Sequence, residues 1–161
     1  MSTLTAQGIV DTWRTQLQIY FDHIKDIASS GGWNGFYSST DITEDPFCIG
    51  ADITYSAPVL ILERPFGENN LSQQITFEPR HRNTIGSAGR IDVYSYPYMR
   101  EALLLRVLKP LNAANLTMEQ ADQLVAITPW CAYSQERMPL KADLTTDDGV
   151  LSFLEDLVAV D

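Results

Sequence analysis

Between Thr5 and Ala28 the apolar residues return every three or four positions: Ile9, Val10, Trp13, Leu17, Tyr20, Phe21, Ile24, Ile27 and Ala28. At 3.6 residues per turn they fall into one stripe, with Asp11, Thr15, Asp22 and Asp26 opposite. Thr5 is placed to cap the start, and Ser29-Ser30-Gly31-Gly32 stops the run. The pattern predicts a long amphipathic helix whose aromatic stripe belongs to a core. His23 stands at the border of that stripe, where it reads as a boundary residue rather than a ligand.

After the glycines the period drops to two. Trp33 to Tyr37 opens a strand, Asp52-Ile53-Thr54-Tyr55 alternates, and Val59-Leu60-Ile61-Leu62 is a short apolar run bounded by Pro58 and Pro65. Gly67-Glu68-Asn69-Asn70 reads as a turn. Gln74 to Glu78 and Arg90 to Tyr94 alternate again. These strands are joined by short connections, which favours antiparallel pairing over crossover units. Asp41, Glu44 and Asp45, with Asp52 further on, read as an acidic, solvated loop between the first two strands. They lack the ligand order and central glycine of a calcium loop.

From Tyr96-Pro97 to Lys109 the helical period returns: Leu103, Leu104, Val107 and Leu108 form a stripe, with Arg106 and Lys109 opposite and Pro110 as the stop. On that helix Arg100 would sit at the centre of the apolar face. It would then need an acid, Asp92 or Glu78, since an unpaired buried charge costs several kcal/mol, roughly. Thr117-x-x-Gln120 opens a further helix to Ile127. Trp130 to Tyr133 suits one more strand. Thr145-x-x-Asp148 caps a last helix with the stripe Val150, Leu151, Phe153, Leu154, Leu157 and Val158. The whole predicts a single α+β domain over residues 1–161. A long N-terminal amphipathic helix packs on a mainly antiparallel sheet of four to six strands, with C-terminal helices as the cover.

Charge changes the picture in one place. Residues 1–79 hold ten acids and three bases, and residues 117–161 hold nine and two; residues 80–116 hold six bases against Asp92 and Glu101. This basic island is either an anion site or the internal counter-charge of the acidic flanks. The net charge of −10 argues against nucleic acid and anionic membranes, whose binding rests on neutralising phosphates. No apolar run is long enough to span a bilayer, and the N-terminus shows no secretory pattern, so the expected address is cytoplasmic. Cys48 and Cys131 lack metal or redox spacing and read as two buried reduced thiols, or else as one long-range disulfide.

No motif for nucleophilic catalysis, zinc, dinucleotide or phosphate binding is present, so neither metal nor cofactor is expected. The leading expectation is a non-enzymatic, acidic protein-binding module: a chaperone-, inhibitor- or immunity-like partner of a more basic protein. The alternative is an anion-binding protein or enzyme built on the loop Arg80–Arg90. Its ligand would meet Arg80, His81, Arg82 and Arg90, with Arg100 behind them and Tyr94 or Tyr96 on the wall. A homodimer through the C-terminal helix is compatible with either.

Overall fold

The computed structural model describes residues 6–45, 50–66, 71–80, 89–105, 130–134, 136 and 138–159. It is an α+β arrangement. Helix α1 (Ala6–Ser29) leads into strands β1 (Asn34–Glu44), β2 (Ile53–Phe66), β3 (Leu71–Pro79), β4 (Arg90–Tyr96), β5 (Glu101–Leu105) and β6 (Cys131–Tyr133). Helix α2 (Asp147–Leu157) follows. All six strands form one antiparallel sheet in sequence order, each beside the next.

The stripe of α1 is the spine of the core. Val10, Trp13, Leu17, Phe21, Ile24, Ile27 and Ala28 are buried, and Tyr20 packs at the edge of the same cluster. Phe21 meets Phe77 of β3 edge-on at 6.2 Å, while Tyr20 and Trp13 both pack on Trp130, at 5.4 and 5.9 Å. The helix ends where the sequence places the stop: Gly32 takes φ +85°, and the amides of Gly31 and Trp33 both bond the Ala28 carbonyl. Only glycine enters that left-handed region without strain. His23 is exposed on α1.

Helix α2 buries Val150, Phe153, Leu154 and Leu157 in the same cluster, so its apolar face is already occupied by its own chain. Its cap is Thr146, one residue beyond the expected Thr145, and the hydroxyl accepts from the Gly149 amide at 3.0 Å. Gly149 is needed there. A Cβ at that position would lie 1.7 Å from the Asp143 carbonyl oxygen.

β2 runs unbroken through both prolines that were expected to bound it. The register explains how. β3 pairs with β2 only from Leu60 onward, and β1 pairs only as far as Glu63, so among the described residues Pro58 and Pro65 each have a strand on one side. A missing amide is tolerated where one side of the strand is open. The buried side also changes along β2, from Tyr55, Ala57 and Val59 to Leu60 and Leu62, where β3 joins. In the overhanging ribbon Ile42 and Glu44 are buried opposite Tyr55 and Ile53. Asp41 and Glu44 are therefore strand residues rather than loop. Glu44 is no solvated acid either, for it accepts the Tyr55 hydroxyl at 3.0 Å.

The expected helix from Tyr96 to Lys109 is overturned over residues 101–105. Ser95 and Arg100 close a hairpin through Ser95 N to Arg100 O at 2.8 Å, and Glu101–Leu105 pairs with β4 and β6. A run of leucines matches a helical stripe and a strand buried on both faces equally well, and the neighbouring strand decides. Ala102 and Leu104 face the cluster, while Leu103 and Leu105 are buried on the other side. Cys131 is also a correction: it lies exposed on β6 as a free thiol. The rest of the proposed second helix, the Thr117–Ile127 helix, the Gly67–Asn70 turn, Cys48 and the Thr5 cap lie outside the described residues. Among the described residues no helix is long and apolar enough to cross a membrane.

Candidate functional site

Alternation along β4 sends Ile91, Val93 and Ser95 to the helix-covered side and Arg90, Asp92, Tyr94 and Tyr96 to the other. Register carries that open face across the sheet. One row reads Phe36, Ile61, Thr76, Tyr94 and Glu101, and the next reads Asn34, Glu63, Gln74 and Tyr96. Phe36 is 44% exposed, Tyr94 38% and Tyr96 60%. The described residues thus present an aromatic strip in line with the carboxylates of Glu63 and Glu101.

At the end of β4 lies a compact charge network. Arg80 Nε and Arg90 Nε each donate to Asp92, to Oδ2 and Oδ1 respectively, both at 2.8 Å. The second carboxylate is Glu78, 3.9 Å from Arg80 and the acceptor of the Tyr94 hydroxyl at 3.3 Å. Two guanidiniums therefore share two acids. Partial burial, and then the Glu78 charge beside it, raises the Tyr94 phenol above its ordinary value. The hydrogen bond to Asp92 holds the Arg80 guanidinium above its own. Both shifts keep these groups in the forms they already have at neutral pH, which suits recognition better than proton transfer.

Of the residues singled out in the sequence, Arg80, Arg90, Tyr94 and Tyr96 come together on this face. His81 and Arg82 lie outside the described residues. Arg100 belongs elsewhere: it extends to the helix side and donates to the Asp156 carbonyl near the end of α2 at 2.8 Å. The acids expected to meet it are taken up by Arg80, Arg90 and Tyr94. Arg100 instead borders a separate cleft of about 390 Å³, with Ala102, Leu140, Lys141, Phe153 and Leu157 among its walls. An arginine there favours the α2 C-terminus, where helix carbonyls carry partial negative charge.

Phe36, Ile61, Glu63 and Glu101 were missed as members of the face. The alternation in Asn34–Tyr37 and Ile61–Glu63 points to it, but only the register shows that these residues align with Tyr94. Glu101 was hidden by its assignment to a helix. Among the described residues, no group of three or more His, Cys, Asp or Glu side chains is arranged to hold a metal ion. Compared with protein-family models, with curated proteins and with solved structures, the chain matches none.

Proposed function

We propose that the protein is a non-enzymatic binding module for a protein more basic than itself, engaged through the open side of the sheet. The observation that carries this reading is the pairing of aromatic exposure with surplus acid. Phe36, Tyr94 and Tyr96 are exposed in rows that also hold Glu63 and Glu101, while the two arginines of the face are matched by Asp92 and Glu78. Aromatic side chains with a charged surround supply contact area and steering together. An exposed reduced thiol at Cys131 fits a cytosolic setting.

The test is association with proteins from a cell extract over a series of ionic strengths, comparing the natural chain with a Phe36→Ser, Tyr96→Ser, Glu101→Gln variant. Capture of basic proteins should weaken with salt and be lost in the variant. Capture that is indifferent to both would sink this reading.

A second reading has one observation behind it. A small anionic ligand would find Arg90 and Arg80 converging at the base of the basic loop, and Arg100 and Lys141 around the cleft by α2. Against it, a ligand at the first place has to displace Asp92. A thermal-shift screen with anionic metabolites separates the two readings, since a ligand at 100 times its dissociation constant adds roughly 2.7 kcal/mol.

A further inference from the structure

The sheet has two edges, and they are treated differently. β6 is three residues long, and its outer side is met by the following segment, through a bridge of Tyr133 to Pro139 and the bond from Leu140 N to Ala132 O at 3.0 Å. β1 is eleven residues long and, among the described residues, pairs only with β2. Its register is continuous, with no bulge, no proline and no lysine. Those are the devices by which sheets blunt an edge. Among the described residues, no backbone group from Asn34 to Thr43 bonds anything beyond the β1–β2 ladder. In an antiparallel edge strand, every second residue turns its amide and carbonyl outward. Ser38 and Ser39, at the middle, are exposed.

Charge selects the occupant. Asp22 and Asp26 line the cleft at the start of β1 with Asn34 and Gly35, the exposed Asp41 lies on its far half, and among the described residues Lys25 is the lysine facing them. Lys25 lies 5.3 Å from the centre of the Tyr37 ring, and the Tyr37 hydroxyl donates to Asp22. A second copy would meet the same acids. Symmetric pairing about Ser39 sets each Asp41 across from the other chain's Tyr37, beside Asp22, between chains of charge −10. The same field attracts lysine and arginine.

From these observations the geometry points to β1 as a strand-addition site for an extended, lysine- or arginine-bearing segment of the basic partner. The inference rests on the proposed function and deepens it. The partner's main chain bonds the outer edge of β1, and its alternate side chains reach the acids at either end.

The experiment uses the full chain and a ten-residue synthetic peptide alternating lysine and valine. A second peptide has the same sequence and charge but is N-methylated at every residue. Binding at low ionic strength is measured together with amide hydrogen exchange and solution mass. The expected result is slowed exchange confined to Phe36–Asp41 with the first peptide, and binding about tenfold or more weaker with the second, whose donors are gone. Equal binding of the two peptides, or protection on β4 rather than β1, overturns strand addition and leaves the protein-binding reading standing. A doubled mass with β1 already protected in the free protein assigns the edge to a second copy and overturns it too. If neither peptide binds, attraction for basic partners fails, and the strand-addition site fails with it.

Discussion

On the helix-covered face Arg64 lies over the Trp33 ring at 4.3 Å, holds Glu155 of α2 with both terminal nitrogens, and donates to Gln73 of β3 at 3.0 Å and to the Gly31 carbonyl. On the open face Arg80 and Arg90 also find carboxylates, yet their partners, Asp92 and Glu78, sit on the same strand or the next. The side chain is the same, but its bonds have different reach. Arg64 ties together the end of α1, the middle of the sheet and α2, whereas the open-face pair ties neighbours that the ladder already holds. An ion pair stabilises a fold to the extent that it fixes segments nothing else fixes, and a pair between adjacent strands adds little to what the ladder already holds. The helix-covered face therefore carries the long-range ties of the fold, and the open face is the one proposed above for recognition.

That division is most easily broken by truncating each side in turn. Phe77→Ala, which removes a buried ring from against Phe21, should cost about 3–5 kcal/mol in urea unfolding, whereas Thr76→Ala, next along β3 on the open side, should stay within about 0.5 kcal/mol. Similar losses at the two positions would show that both faces bear the load.

Gly149→Ala sharpens the point from the α2 side. Its Cβ must push back the Asp143 carbonyl, so a loss of about 1–3 kcal/mol is expected by calorimetry, with the start of β5 loosened as α2 shifts. Arg64→Met drops both the fork and the guanidinium that stacks on Trp33. The expected loss is about 1–2 kcal/mol. On the other face Asp92→Asn should cost less than about 1 kcal/mol, because Arg80 and Arg90 then turn to water or Glu78. If the order of these two is reversed, the comparison is wrong.

The smallest effect is one of pH. The Arg64 hydrogen bond lowers the Glu155 pKa below its ordinary value. A depressed carboxyl contributes its stability above the unfolded glutamate value, roughly 4.3, and loses it as pH falls through the lower folded value. Glu155→Gln should therefore be less stable than the natural chain at neutral pH, and the gap should close in acid. A gap that stays constant to acid pH would remove the ion pair from the account.

Much of the helix-covered side was legible in the sequence. The stripe from Val10 to Ala28, the glycine stop and the apolar face of α2 follow from spacing, because each is a local pattern that one turn of helix converts to geometry. β4 was legible for the same reason, and so was the placement of Arg90, Asp92, Tyr94 and Tyr96 on one face. What failed was what depends on a neighbour. Leu103-Leu104-Leu105 is a strand because β4 lies beside it, and Pro58 and Pro65 are tolerated because the sheet is staggered around them. Arg64 carries no local signal at all, since its four partners come from other parts of the chain. The pattern offers Asp92 or Glu78 as the acid for Arg100, whereas these acids serve Arg80, Arg90 and Tyr94, an error that follows from the mistaken helix.

Arg64 also has a consequence in time. The strands from β1 to β5 follow one another in sequence order, so each can close on its predecessor as it leaves the ribosome. The bond from Arg64 to Glu155 spans 91 residues. Until α2 has been synthesised, Trp33 and the Arg64 fork are held from one side only. The nascent sheet then waits, with its long first edge exposed, for the last helix to lock it.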